Sequence, residues 1–289
     1  MDGFTVVVRR AGVEEARHVV HAVAVQDGAV VESVGNASLV TFFRSSAKPI
    51  QALPVVRARP DLDDAEIAIA CASHLARPEQ LAPVRSLLAK APASEEELEC
   101  GAEPTPLEHN CSGKHAAMLA LCRAEQWPNE GYRLPEHPCQ QAMLEEVAAA
   151  AHVDPASIPT GIDGCGVLTF ALPLERMASA FAGLERLEGG DRVARAMRAH
   201  PDLIRGPLAA DTVLMRALPG WVAKGGAEGL LCATSPEGLG LALKVEDGAT
   251  RAVRSACAAF LSRLGVDSLE TNVPLTSSRG DVVGEILAE

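Results

Sequence analysis

Ser45-Ser46-Ala47-Lys48 sets a hydroxyl and an amine three residues apart, at the point where an apolar strand pattern gives way to a helical one. At that spacing Ser45 and Lys48 share one face of a helical turn. A serine hydroxyl is a poor nucleophile until a base takes its proton, and a lysine amine can be that base if its surroundings favour the neutral form. Arginine could not serve, because it does not lose its proton in a protein. The motif is short, and an N-capping serine beside a solvated lysine would look the same. The rest of the composition sharpens it. Only five of the 26 basic residues are lysines: Lys48, Lys90, Lys114, Lys224 and Lys244. A chain that uses arginine wherever a plain positive charge suffices keeps lysine where an amine must lose a proton or fit a narrow space. Lys90 closes the helical run RSLLAK and reads as an ordinary cation in a last turn.

Three more segments carry reactive groups. Cys71-Ala72-Ser73-His74 ends an apolar stretch and offers a second hydroxyl, or a simple cap. His109-Asn110-Cys111-Ser112-Gly113-Lys114-His115 crowds polar and reactive side chains in front of an alanine-rich helix. Its SGK is not a phosphate loop, since the GxxxxGK[ST] pattern is missing. Cysteine and histidine at this density point to a metal site or an activated nucleophile. Gly161-Ile162-Asp163-Gly164-Cys165-Gly166 places an acid and a thiol in a flexible turn. Cys165 could complete a soft metal site with Cys111, or be a small buried hydrophobe. Lys224 precedes two glycines, and Lys244 is the one charge in the apolar strand pattern GLGLALKV.

The elements that must position these groups follow from periodicity. Residues 4–8, 18–25, 29–34 and 38–43 read as strands, with Gln26-Asp27-Gly28 as a hairpin turn. Helical patterns cover 78–90, 115–123, 138–151, 172–183, 190–200 and 249–264. A second hairpin joins 229–234 to 238–245. The expected fold class is α+β: an antiparallel sheet from both termini (about 4–43 and 229–289) beside a mainly helical middle (about 45–228), forming one domain over 1–289.

Composition excludes several functions. The formal net charge is −12, and no Lys/Arg cluster offers a phosphate-binding surface, so nucleic acid is not the expected partner. No run of 18 apolar residues suggests a membrane span. MDGFTVVVRR lacks the pattern of a secretory signal, and eight cysteines in 289 residues are too few for a disulfide scaffold, so reduced thiols and a cytoplasmic location are expected.

RSSAKPIQALP, ACASH, HNCSGKHAAMLALC, GIDGCGVLTFALPL, KGGAEG and LALKVEDG, in that order, resemble the successive motifs of the Rhizobium etli-type L-asparaginases, the asparaginase II family. The resemblance implies a fold like that of the serine β-lactamases and penicillin-binding proteins, and hydrolysis of L-asparagine to L-aspartate and ammonia. It implies two Ser–Lys pairs, Ser45/Lys48 and Ser73/Lys244, the last read as the strand lysine of that fold. It implies zinc held by Cys111, Lys114 and Cys165, a substrate pocket lined by Arg44, His115 and Asp163, and a homodimer. One stretch departs from the family pattern. ASH is followed by Leu75-Ala76-Arg77 where the family commonly has Ser-Gly-Glu, which bears on the pocket edge. Two other functions remain compatible with the scaffold: a serine hydrolase acting on peptides or β-lactams, and a zinc-binding protein without catalysis.

Overall fold

The computed structural model describes residues 3–289. The chain opens with β1 (Phe4–Arg10), β2 (Val13–Gln26), β3 (Ala29–Val34) and β4 (Val40–Phe42). Asp27 and Gly28 both take positive φ, +50° and +78°, the geometry that matches the twist of a two-residue hairpin. Ala11-Gly12 makes the β1–β2 hairpin in the same way. That turn carries no Asn or Asp, and the exposed charges of Glu14, Glu15 and Arg17 hide the early part of β2 from an apolar-alternation search.

A short 3₁₀ turn, Arg44–Ala47, leads into α1 (Lys48–Ala58). Then come α2 (Asp64–Ala70), α3 (Pro78–Lys90), α4 (Ser112–Ala124) and α5 (Pro138–Ala151). Asp63 starts α2 with a reciprocal cap to Glu66, and the apolar run behind it is buried. The chain continues through β5 (Thr160–Ile162), β6 (Leu168–Pro173), α6 (Leu174–Ala182), α7 (Gly190–Ala199), α8 (Pro201–Ile204) and α9 (Ala210–Ala217). It ends with β7 (Val222–Gly226), β8 (Leu230–Thr234), β9 (Gly240–Val245), α10 (Val253–Arg263), β10 (Asn272–Thr276) and β11 (Val282–Ala288).

The architecture is α+β. Seven strands follow the order β10-β11-β1-β2-β9-β8-β7, all pairs antiparallel, and β3 joins the far half of β2. The two termini meet in this sheet, with Val6 opposite Ala288. The expected helical middle needs correction. β4, β6 and β5 form a separate three-stranded sheet, and β7 begins at Val222, ahead of the expected second sheet segment. The sequence VAKGG has weak strand propensity, because two glycines and a lysine have little to pack on a pleated surface. It is tolerated at the sheet edge, where β7 lies.

α6 packs on β2, β8 and β9. The contact is close at Gly240, where a Cβ would stand 2.0 Å from the Ala178 carbonyl oxygen. Gly240→Ala must push α6 away from the sheet. It is expected to cost about 1–3 kcal/mol in urea unfolding. An unchanged midpoint would show that the helix–sheet spacing is not set there.

Candidate active site

The SxxK turn is anchored from behind by β6. Phe43 N–H donates to Phe170 O at 2.8 Å, and Arg44 N–H donates to Thr169 Oγ1 at 3.2 Å. Arg44 sits at φ +48°, a left-handed conformation uncommon for a residue with a Cβ. The chain therefore turns sharply from β4 into the helix. Ser46 is fully buried, and its hydroxyl donates to Lys224 O on β7 at 2.9 Å. A Cβ on Gly226 would stand 2.9 Å from Ser46 Oγ, so a glycine at this point lets the edge strand lie against the turn. Ser45 is half-buried and is the serine left to face outward.

Lys48 is buried, and its Nζ reaches three acceptors: Ala72 O at 2.5 Å, Ser73 Oγ at 3.1 Å and Cys111 Sγ at 3.2 Å. The amine of the SxxK turn thus meets both the CASH and the HNCSGK segments. It does not hydrogen-bond to Ser45. Ser73 is held by its own N–H, which donates to Ile204 O at 2.7 Å. His74 Nδ1 accepts from Ala76 N–H at 3.1 Å, which leaves the ring proton on Nε2, 2.8 Å from Ser112 Oγ. Burial, then the charges of Lys48 and His109, push the His74 pKa down to about 4. The ring is neutral at pH 7, an uncharged strut between the two motifs.

Cys111, Lys114 and Cys165 converge. Lys114 Nζ lies 3.1 Å from Cys165 Sγ. A hydrogen bond from Cys111 draws the Cys165 thiol down to about 4 against the effect of burial, and Lys114 adds to it. Burial works against charge on Lys114, yet Cys165, Cys111 and Asp163 hold its pKa above the ordinary lysine value. Without a metal this is a thiolate–ammonium pair. Among the described residues no group of three or more His, Cys, Asp and Glu side chains is arranged to hold a metal ion. The set that does converge is two thiols and an amine. Thiolate donors suit a soft or borderline cation, and the amine joins them once it gives up its proton. On that chemistry the residues fit zinc.

Asp163 and Cys165 share a turn closed by Gly166 N–H donating to Asp163 O at 2.8 Å. Arg44 Nε donates to Asp163 Oδ1 at 2.8 Å. Burial alone would raise the Asp163 pKa, but Lys114 and Arg44 together hold it below the ordinary value. His115 lies just behind. Its Nδ1 meets Tyr132 Oη at 2.6 Å, its Nε2 is buried without a partner, and burial holds its pKa well below 6.5. The structure therefore groups Arg44 with Asp163, Lys48 with Ser73 and Cys111, and Lys114 with Cys165.

The Ser73/Lys244 pairing is not formed, which corrects one expectation. Lys244 lies on β9, two strands in from the sheet edge, and its Nζ donates to the carbonyls of Val245 and Glu246. Burial lowers its pKa, and the carboxylates of Glu228, Asp247 and Glu246 oppose that shift. The strand lysine at the SxxK turn is Lys224. It is fully buried, with Nζ 2.5 Å from Gly225 O and 3.6 Å from Asp211 Oδ2. Burial drives its pKa down to about 8, with Asp211 opposing and the positive charges of Lys48 and Arg205 assisting. Lys224 was visible in the sequence as a scarce lysine beside two glycines. The resemblance was carried onto Lys244, the one charge in a clean apolar strand pattern, but that pattern belongs to an inner strand and not to the edge strand beside the SxxK turn.

The chain belongs to the L-asparaginase II family, whose sequence profile matches residues 6–288. No significant match is found among curated proteins. Of solved structures, the native form of Mglu is similar over 87% of this chain and 66% of that one, with a TM-score of 0.51 and 13% identity. A second Mglu structure gives 86%, 67%, 0.50 and 12%. At such identity the likeness is one of fold, and the chain spans about two thirds of the length of these relatives. A β-lactamase from Mycobacterium bovis is similar over 83% of this chain and 94% of its own, at a TM-score of 0.40 and 15% identity.

Lys224 also ties stability to pH. Its folded pKa, about 8, lies below the roughly 10.4 of a free lysine. Between those values the unfolded chain holds the proton that the folded chain has released, so this residue's contribution to stability rises with pH across that window. Below pH 8 both states are protonated and the full cost of burying the charge remains. Urea unfolding from pH 7.5 to 10 is expected to show wild type gaining stability relative to Lys224→Met. A constant difference would mean that Lys224 titrates normally.

Proposed function

We propose that this protein is an amidohydrolase that converts L-asparagine and water to L-aspartate and ammonia. Family membership supports the class, and one observation carries the reading to this site. Lys48 links Ser73, Cys111 and the SxxK turn through a single buried amine. Its acceptors come from two segments distant in sequence, so the amine stands where the SxxK turn, the CASH turn and the HNCSGK segment meet.

Ser45 attacks the side-chain amide carbon, and its proton passes to Lys48, which can accept it only in its unprotonated form, directly or through Ser73 Oγ. The new C–O bond gives a tetrahedral oxyanion, which backbone N–H donors must stabilise. The C–N bond then breaks, ammonia leaves with the proton returned by the lysine, and a β-aspartyl ester remains on the serine. Water hydrolyses the ester, its proton passing to the same amine and back to Ser45. Burial, with the charge of Lys48 assisting, lowers the pKa of Lys224, which eases proton loss from an amine beside the SxxK turn. The missing Ser45–Lys48 hydrogen bond is compatible with this, because catalytic contacts often tighten only when substrate binds. Asp163 and Arg44 supply opposite charges for the α-ammonium and α-carboxylate. Cys111, Lys114 and Cys165 would hold zinc, which would supply a fixed positive centre for orienting a substrate oxygen.

The 3.1 Å contact of Lys48 with Ser73 favours a second reading, in which Ser73 is the nucleophile. The location of the acyl group separates the two. Mass spectrometry of protein quenched during turnover would find the ester on the peptide bearing Ser45 or on that bearing Ser73. L-Asparagine, L-glutamine and nitrocefin as parallel substrates separate an asparaginase from other serine amidases.

Ser45→Ala, Lys48→Met and Lys224→Met are each expected to lower kcat at least about 10³-fold with the fold intact, and the Ser45/Lys48 double variant to be little worse. Lys244→Met should leave kcat near wild type. A Ser45→Ala variant that keeps more than a tenth of the activity would remove Ser45 as nucleophile, and collapse in Lys244→Met would restore Lys244 to the site. For the metal, Cys111→Ser and Cys165→Ser are expected to raise KM more than they lower kcat, the pattern left by lost substrate binding. Zinc-free protein with unchanged KM in both variants would make these thiols purely structural.

A further inference from the structure

A cavity of about 300 Å³ opens where the end of the β7–β8 hairpin, the loop before α9 and the start of α10 meet. Arg205, Arg251 and Arg254 line it, together with Thr250, Asp211 and Gly225. In a chain of net charge −12 such a grouping is selective. Among the described residues, 13 of the 21 arginines form ion pairs within 4 Å, and these three do not. Three of the eight unpaired arginines thus converge on one cavity.

The nearby acids do not neutralise it. Asp211 lines the cavity, but its carboxylate already accepts from Gly225 N–H and Thr212 N–H, at 2.9 Å each, and faces Lys224. Asp247 stands behind His18, whose Nδ1 it meets at 2.7 Å. Arg251 Nε donates to the other His18 nitrogen at 3.1 Å, which orients the guanidinium and leaves its outer N–H groups free for a ligand. Glu270 shares a smaller adjoining cavity with Arg254, without an ion pair.

We propose that this cavity binds a small multivalent oxyanion, a phosphate or a dicarboxylate, in the guanidinium forks of Arg205, Arg251 and Arg254. Planar forks match the oxygens of such groups two at a time. The volume is at the lower end for ligand sites and suits a ligand of metabolite size. The site lies outside the residues that handle asparagine, yet it touches them twice. Arg205 follows Ile204, whose carbonyl holds the Ser73 N–H, and Asp211 stands between the cavity and Lys224. An occupant is therefore placed to modulate turnover, while the binding itself does not depend on what the enzyme hydrolyses.

Titration calorimetry on the full chain at constant ionic strength tests this, with inorganic phosphate and succinate as probes and chloride as control. One-site saturable binding of phosphate or succinate is expected, at least about tenfold tighter than chloride, and the tighter probe assigns the ligand chemistry. Arg251→Gln combined with Arg254→Gln should weaken it at least about tenfold, whereas Arg186→Gln, remote from the cavity, should not. Should the double variant fail to fold, Arg254→Glu alone reads the same effect. Absence of saturation, affinity equal to chloride, or binding unchanged in the cavity variants would overturn the proposal. Loss of asparagine hydrolysis with anion binding intact would count only against the catalytic reading.

Discussion

The buried amine of Lys48 is the point on which the site depends. Burying an amine is unfavourable unless its donors are satisfied. Here one acceptor comes from the end of α2, one from the Ser73 hydroxyl and one from the thiol before α4. Satisfying Lys48 therefore requires three segments, distant in sequence, to meet. The surrounding contacts serve the same meeting. His74 joins Ser112, Ser46 joins the β7 backbone, and Arg44 joins Asp163. A substitution at any of them disturbs the position of the amine as well as its own contact.

Charge is handled by burial and by like-charged neighbours. Two lysines, Lys48 and Lys224, stand near each other with a single carboxylate, Asp211, at 3.6 Å from Lys224. A site rich in amines and poor in carboxylates favours loss of a proton, which a lysine base needs. The thiolate–ammonium pair of Cys165 and Lys114 is the opposite arrangement a short distance away. Under the proposed function the two halves of the site would divide the work: one amine region for proton transfer, one thiol region suited to a cation.

Much of this was legible in the sequence because it was written in residue types rather than in pattern. Lysine was scarce, so each one carried information. Cysteine and histidine beside Lys114 could not be an ordinary loop. The first hairpin was legible from Asp27-Gly28, and α3 and α5 from their periodicity and their leading prolines. The strand lysine was not legible by the same means. An apolar run signals burial on both faces, and that marked Lys244 on an inner strand. The working strand is at the edge, where glycines and low apolar content are allowed and strand pattern fades. The pairing of Lys48 with Ser73 rather than Ser45 was beyond sequence reach too, since it depends on how the end of α2 lies across α1. Of the three-stranded sheet, β4 falls within the strand read at 38–43, but its pairing with β6 and the three-residue β5 was not legible.

Under the proposed function, a buried lysine that takes and returns a proton drives hydrolysis of asparagine. Ammonia release from L-asparagine, measured as kcat/KM from pH 6 to 10, tests it most directly. A rate that rises with pH is the predicted result, because a lysine base acts only in its unprotonated form. No ammonia release, or a rate flat across the whole range, would contradict the account.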